Sequence, residues 1–287
     1  MQWTLRALVR AAGLDAEVSG DPRVAGLEYD SRTVAPDDLF CCIPGSRADG
    51  HDFAADVVAR GAAALLVQRR LDVDAPQAVV PVVRDALGPL ASAFFEHPSH
   101  EMPVAAVTGT NGKTTVTYLL ESIAAAAGSN AGVVGTVSRR YMGIEAKAAR
   151  NTPEAIDLHR LLREMRDAHV DVVFVEATSD GLEQGRLRRT SIATAGFTNL
   201  TQDHLNTHGS MEAYFEAKAG LFDRSYTSKA VINVADPHGR RLYERVRGDL
   251  DVLAYGVDDA DISCVDVDLR PTGSRARIRT PRRKIDD

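Results

Sequence analysis

Thr108-Gly109-Thr110-Asn111-Gly112-Lys113-Thr114-Thr115 is the stretch that decides how this chain folds. It follows the apolar run 104–107, which reads as a buried strand, and it opens a helical run over 114–127. A glycine-containing loop between a strand and a helix suits a phosphate group. The glycines let backbone N–H groups approach the anion, the helix N-terminus faces it, and Lys113 reaches a terminal phosphate. The hydroxyl of Thr114, directly after the lysine, is placed to hold Mg²⁺. The general pattern for such loops has a glycine five residues before Gly112. This chain has Val107 there, so the loop is a tighter variant.

Outward from the loop, the pattern reads as two α/β series. Downstream, 131–134 is a strand and 153–168 a helix with Pro153 at its first position. Residues 172–175 are continuously apolar, as in a central parallel strand covered on both faces. Further strands fall at 192–198, 230–234 and 252–255, with a helix over 211–222. After Asp261 the pattern turns to short alternation (Ile262, Cys264, Val265, Val267), then a turn at Pro271-Thr272-Gly273 and a basic, unstructured segment. Upstream, 39–43, 64–67 and 79–83 read as strands, and 53–60 and 87–95 as helices. Trp3, Leu5, Leu8 and Val9 share one face of a short N-terminal helix. His97-Pro98-Ser99-His100 has turn chemistry and no apolar period. The expected division is therefore into residues 1–98 and 99–287.

Length and charge narrow the function. A chain of 287 residues can bury two cores, and a net charge of −6 argues against a general nucleic-acid or polybasic membrane binder. Three cysteines, two of them adjacent in an apolar run, make neither a disulfide framework nor a metal cluster, and they fit a reducing compartment. No uncharged run reaches the length of a membrane span, and Arg6 and Arg10 interrupt the N-terminus where a signal peptide would be apolar. The expected location is cytoplasmic, with no membrane insertion and no nucleic-acid partner.

Gly-Thr-Asn-Gly-Lys-Thr-Thr resembles the ATP-binding loop of the Mur ligases and of their folylpolyglutamate synthetase relatives. Four further segments are most similar to the UDP-N-acetylmuramoyl-tripeptide synthetase (MurE) branch of that family. They are Tyr29-Asp30-Ser31-Arg32 followed by Gly45-Ser46-Arg47-Ala48-Asp49-Gly50-His51; Asn151-Thr152-Pro153-Glu154; Glu176-Ala177-Thr178-Ser179 through Gln184-Gly185-Arg186; and Thr198-Asn199-Leu200-Thr201-Gln202-Asp203-His204-Leu205, running into Tyr214-Phe215-Glu216-Ala217-Lys218-Ala219.

The resemblance implies a fold of class α/β, with a small N-terminal α/β substrate domain followed by a P-loop-type, mostly parallel-sheet ATPase domain. It assigns Gly109, Thr110, Asn111, Gly112, Lys113, Thr114, Thr115 and Asn199 to ATP. Lys113, Glu176, His204 and Lys218 are the implied catalytic residues, and Thr114, Glu176, His204 and Lys218 the implied Mg²⁺ ligands. Glu176 ends the central strand, where α/β sheets place ligands, and a carboxylate suits a hard cation. Lys218 matches a lysine that the family carbamylates, which turns a cation into an oxygen anion that a metal can approach. Tyr29, Ser31, Ser46, Arg47 and Ala48 match residues at the UDP end of the substrate. Asn151, Thr152, Thr178, Gln184 and Arg186 match residues at its muramoyl-peptide end. Arg186 has the fork geometry for a carboxylate or phosphate.

Two positions depart from the pattern. Asn151 stands where the family usually has threonine, and Asp180 where it usually has histidine. The implied activity is ATP-dependent addition of an amino acid to UDP-MurNAc-L-Ala-D-Glu in peptidoglycan precursor synthesis. Family members continue into a third domain that binds the incoming amino acid. The sequence given is thus expected to bind substrate but to need a separate C-terminal domain for amide formation. Two alternatives stand beside this one. A non-catalytic, truncated paralogue that binds a UDP-substrate and nucleotide would show no amide formation. A ligase for a different acid, such as folate, would not bind the UDP-MurNAc-dipeptide.

Overall fold

The structure, a computed structural model, describes residues 3–45, 48–147, 151–202, 209–256 and 259–281. They form two compact units. The first comprises Met1–Met102, Pro153–His169 and Glu183–Thr190; the second comprises Pro103–Thr152, Val170–Leu182 and Ser191–Asp287. The units interleave along the chain, whereas the sequence expectation divided it once, after residue 98. Among the described residues no helix is long and apolar enough to cross a membrane.

In the first unit, β1 (Trp3–Thr4) pairs with β3 (Arg23–Val24) in a small ribbon. The main sheet holds β2 (Glu17–Val18), β4 (Gly26–Glu28), β5 (Asp38–Cys41), β6 (Ala64–Val67) and β7 (Gln77–Val79), in the order β2-β7-β6-β5-β4. All its pairings are parallel except β2 with β7. Alternation explains the unbroken apolar runs. Leu39, Cys41, Ala64 and Leu66 point into one core with Leu5, Leu8, Leu87 and Leu90. Phe40, Cys42, Leu65 and Val67 point into another with Ala54 and Val57. A sheet buried on both faces needs apolar residues at every position. Each fully buried leucine contributes roughly 1.5–3 kcal/mol. The helix Ala155–Asp167 belongs to this unit because Ala155 and Ile156 join the first of these cores.

Three expectations change here. The strand expected at 79–83 is Gln77–Val79, since Pro81 has no N–H with which to continue the ladder. Val83 instead opens the helix Val83–Phe94, four residues earlier than the sequence implied, and its N–H is satisfied by Gln68 Oε1 at 3.2 Å. Pro153 lies before the N-cap Glu154 rather than at the first helical position.

The same unit encloses His159, fully buried, whose Nε2 donates to the Arg188 carbonyl at 3.2 Å. Its Nδ1 has no hydrogen-bond partner among the described residues. Burial lowers its pKa from 6.5 to about 4; the hydrogen bond to Arg188 opposes this, and the nearby His97 and His100 add to it. Below pH 6.5 the unfolded chain therefore takes up a proton that the folded chain refuses. This contribution to stability is complete above pH 6.5 and is lost as pH falls toward 4, amounting to about 3 kcal/mol. The apparent melting midpoint is expected to drop between pH 6.5 and 4.5 distinctly more in the parent chain than in His159→Gln. Equal slopes would show that His159 does not set the acid limit.

The second unit is built on one sheet of ten strands: β8 (Val104–Thr108), β9 (Ala131–Val134), β10 (Ser138–Tyr141), β11 (Ile144–Lys147), β12 (Val172–Glu176), β13 (Thr194–Phe197), β14 (Lys229–Asn233), β15 (Asp251–Gly256), β16 (Ile262–Arg270) and β17 (Gly273–Arg279). Their order is β11-β10-β9-β12-β8-β13-β14-β15-β16-β17. The run from β9 to β16 is parallel, and antiparallel hairpins close both ends. The helix Lys113–Ala126 packs on β8, β9 and β12. Of the basic segment expected to lack structure, Gly273–Arg279 forms β17, while residues 282–287 lie outside the described residues. The register of β17 sets Arg275 opposite Asp268 and Arg277 opposite Asp266, so charges meet acidic partners across the hairpin. Arg277 and Asp266 pair at 3.3 Å.

Candidate functional site

Four adjacent strands of the second unit bring the site together. In the order β9-β12-β8-β13 all are parallel, so their carboxyl ends lie side by side, where α/β sheets bind ligands. Gly135-Thr136 follows β9, Glu176 ends β12, the loop 109–112 follows β8, and Thr198-Asn199 follow β13. A cavity of about 390 Å³ opens there, lined by 110–115, Thr136, Asn151, Glu176, Thr178, Ser179, Tyr214 and Lys218.

The loop turns at Gly109 (φ 146°) and Gly112 (φ 87°), and Gly112 caps the following helix. Both values lie where a side chain is strained. A neighbouring strand end props the loop. Thr110 N–H donates to Asn199 O at 2.9 Å and Asn111 N–H to Asn199 Oδ1 at 3.0 Å, while the Thr198 hydroxyl donates to Asn111 O at 2.7 Å. Lys113 folds over the loop and donates to the carbonyls of Gly109 and Thr110, both at 2.8 Å. Lys218, on the helix Met211–Ala219, is almost fully buried and donates to the same Gly109 oxygen at 2.9 Å. It also lies 4.5 Å from the centre of the Tyr214 ring. Two ammonium groups thus crowd one carbonyl at the mouth of a helix N-terminus, an arrangement that attracts anions.

Glu176 is buried at 1% exposure, and hydroxyl and amide donors hold its carboxylate. Thr114 Oγ1 and Thr136 Oγ1 each donate to Oε2 at 2.9 Å, and Thr136 N–H donates to Oε1 at 3.1 Å. A Cβ at Gly135 would come within 2.3 Å of Glu176 Oε1, so only glycine leaves room for that oxygen. One buried carboxylate flanked by two hydroxyls is a hard-oxygen set that fits Mg²⁺ alongside phosphate oxygens. Among the described residues, no group of three His, Cys, Asp or Glu side chains could hold a metal without such help.

Thr152 Oγ1 donates to the Glu176 carbonyl at 2.8 Å and accepts from Thr178 N–H at 3.1 Å. Its single proton is thereby used. The 2.9 Å contact between the two hydroxyls therefore has Thr178 as donor, while Thr178 Oγ1 accepts from Gly181 N–H at 3.1 Å. Asn151 is exposed at the cavity rim, and Asp180 lies on the helix Ser179–Glu183.

The remaining sequence-predicted residues lie in the first unit. Tyr29 donates its hydroxyl to Asp157 Oδ2 at 2.6 Å. The Ser31 carbonyl accepts from Arg60 at 2.7 Å, and the guanidinium of Arg32 beside Asp30 lowers that carboxyl to about 2. The Ala48 carbonyl accepts from Gly45 N–H at 3.0 Å. Gln184 and Arg186 sit together, Arg186 Nη2 donating to Gln184 Oε1 at 2.8 Å. Ser46, Arg47 and His204 lie outside the described residues. Gly135 and Thr136 were not singled out from the sequence, and Thr198 was quoted within its segment without a role. The available signal was a glycine–hydroxyl pair directly after an apolar strand.

Comparison with known proteins agrees with this geometry. The pattern of the Mur ligase middle domain matches residues 107–286, and that of the Mur ligase family catalytic domain matches residues 23–95. A protein of Geobacillus thermodenitrificans named "UDP-N-acetylmuramoyl-L-alanyl-D-glutamate--2,6-diaminopimelate ligase" is 39% identical over 282 residues, covering 96% of this chain and 57% of that relative. One of the same name from Gloeobacter violaceus is 40% identical over 287 residues, again 96% and 57%. A solved structure bearing that name superposes with a TM-score of 0.83 at 26% identity, over 98% of this chain and 58% of the other. The MurF ligase of Thermotoga maritima in complex with ADP shares the fold, with a TM-score of 0.58 at 20% identity over 88% of this chain and 55% of that one. This chain therefore spans a little under three-fifths of these relatives' length. The middle-domain pattern covers more than half of the chain and the similarity runs along nearly all of it, so the chain belongs to the Mur ligase family.

Proposed function

We propose that this chain carries the nucleotide-binding and UDP-substrate-binding parts of an ATP-dependent ligase that extends UDP-MurNAc-L-Ala-D-Glu by one amino acid. One observation carries the reading: two lysines, a helix N-terminus and a buried carboxylate converge on a single cavity. The positive groups suit a polyphosphate, and the relatives' names supply the substrate.

In that reaction a substrate carboxylate oxygen attacks the γ-phosphorus of ATP, ADP leaves, and an acyl phosphate forms. The amine of the added amino acid then displaces phosphate to give the amide. Lys113 leaves its loop carbonyls and donates to the terminal phosphate, so positive charge sits where negative charge moves. The loop N–H groups orient the phosphates. Glu176 and the Thr114 and Thr136 hydroxyls would hold Mg²⁺, which neutralises phosphate charge. Gly109 through Thr115 and Asn199 serve the nucleotide. Tyr29, Ser31, Ser46, Arg47 and Ala48 serve the uridine end, and Asn151, Thr152, Thr178, Gln184 and Arg186 the peptide end. His204 and a carbamylated Lys218 serve a second Mg²⁺. A carbamate at Lys218 would relieve its crowding with Lys113 and offer an oxygen to that ion.

Calorimetric titration tests this reading directly. The chain is expected to bind one Mg-ATP and one UDP-MurNAc-L-Ala-D-Glu, with a folate unable to compete for the second. Absence of dipeptide binding would overturn the substrate assignment. For Lys218, the alanine variant is expected to bind Mg-ATP about 10-fold more weakly, with partial rescue by formate or acetate. Parent-like affinity without rescue would assign Lys218 to packing alone.

A further inference from the structure

Asp49 and His51 come directly after Ala48, which is matched to the uridine end of the substrate, and neither has an assigned role. In the first unit β5 and β6 are parallel neighbours, so the residues after them share the carboxyl edge of the sheet, where α/β sheets bind ligands. After β5, the segments 43–45 and 48–50 run antiparallel, with Pro44 bridged to Asp49. Gly50 N–H donates to Ile43 O at 2.9 Å, beside the bond from Gly45 to Ala48. A Cβ on Gly50 would come within 2.6 Å of Ile43 N, so glycine is what lets the two segments approach this closely. After β6 comes Gln68, whose Oε1 accepts from Val83 N–H at 3.2 Å.

The side chain of His51, wholly buried, joins the two loops. Its Nδ1 lies 2.6 Å from Asp49 Oδ1 and its Nε2 3.0 Å from Gln68 N. A backbone N–H can only donate, so Nε2 accepts and carries no proton. The single ring proton is therefore on Nδ1 and is donated to Asp49. Asp49 Oδ1 also accepts from His51 N–H at 2.9 Å, and its Oδ2 faces Arg69 Nη1 at 3.6 Å. A run of hydrogen bonds thus passes from the start of the helix Val83–Phe94, through Gln68 and His51, to the Asp49 carboxylate. Packing alone would be met by another ring of similar size. Imidazole adds a donor on one edge and an acceptor on the other, which is what the two loops present.

We infer that His51 is a positioning residue for the uridine diphosphate end of the substrate. Through the Asp49 carboxylate it fixes the segment 48–50 against 43–45, and with it the backbone of Ala48. The inference rests on the proposed assignment of Ala48 to that end.

Calorimetry on the full chain tests it, with UDP-MurNAc-L-Ala-D-Glu as the probe and Mg-ATP, a ligand of the second unit, as the control. In His51→Asn the amide nitrogen takes the place of Nδ1 and can still donate to Asp49. In His51→Gln the amide takes the place of Nε2, which keeps the acceptor for Gln68 and gives up the bond to Asp49. His51→Gln is expected to bind the probe about 10-fold more weakly, the loss of one hydrogen bond to a charged group, while His51→Asn recovers most of the affinity. Asp49→Ala should match His51→Gln, and Asp49→Asn, which keeps an acceptor oxygen, should again recover. Because His51 acts through Asp49, Asp49→Ala/His51→Gln should bind the probe no worse than Asp49→Ala alone. Mg-ATP affinity should stay at the parent value throughout. Equal losses in the Asn and Gln variants of His51, additive losses in the double variant, a parallel loss of Mg-ATP, or no loss at all would each overturn the inference. If His51→Gln does not fold, the two variants of the part-exposed Asp49 decide alone, and equal affinities in them would overturn it. A parent chain that binds no UDP-MurNAc-L-Ala-D-Glu overturns the functional reading and this inference with it, an outcome told apart because it needs no variant.

Discussion

The Lys113→Ala variant is expected to bind Mg-ATP at least about 10- to 100-fold more weakly than the parent chain, the range for losing a hydrogen bond to a charged group. Lys113 Nζ lies over the loop and donates to two of its carbonyls at 2.8 Å, and on binding the phosphate oxygens would take these carbonyls' place. Removing it leaves the loop carbonyls facing the anion without a cation between them. Lys218 cannot replace it fully, because it reaches the loop from the buried side and is tied to Gly109 O. Titration with ATP in the presence of Mg²⁺ measures the effect. Unchanged affinity would mean that this loop does not bind the nucleotide's phosphates.

Gly109→Ala should be as damaging, and through two readouts at once. A Cβ there would come within 1.9 Å of Thr198 Oγ1 and 3.1 Å of Asn199 N and O, in a backbone conformation that side chains rarely adopt. The strand end after β13 cannot yield cheaply, since the Thr198 hydroxyl is bonded to Asn111 O and the Asn199 backbone to Thr110. Strain of this kind costs roughly 1–3 kcal/mol before any lost contacts are added. The Gly109 oxygen also carries both lysines, so displacing it moves both cations. Denaturant unfolding is expected to show about 2–4 kcal/mol of lost stability, and nucleotide titration a loss of binding. A stable variant with parent-like ATP affinity would show that the loop tolerates a different path.

The parts of this fold that were legible in the sequence are those governed by local pattern. The run 172–175 is apolar throughout because Val172–Glu176 sits between two parallel neighbours, and that context is what such runs report. The loop 109–112 was legible because glycine, lysine and hydroxyl types at fixed spacing have a local mechanism. What could not be read depended on partners distant in sequence. The helix Ala155–Asp167 shows its apolar period plainly, but nothing in that period says which core it joins. Nothing local marks Gly135, whose closeness to Glu176 Oε1 depends on a strand 40 residues further on. The segment forming β17 carries alternate arginines, which read as a solvated tail until Asp266 and Asp268 stand opposite.

The interleaving of the two units also dictates an order of events during synthesis. The chain passes from one unit to the other at residues 102, 152, 169, 182 and 190. When Met102 has emerged from the ribosome, all the strands of the first sheet are present, yet Leu87, Leu90 and their neighbours still lack Ala155 and Ile156. About 50 further residues must be made before that helix arrives, several seconds at roughly 5–20 residues per second. During that interval the nascent first unit exposes part of its apolar core and offers a surface for chaperones to bind. It can close only after the first stretch of the second unit, Pro103–Thr152, has already been translated.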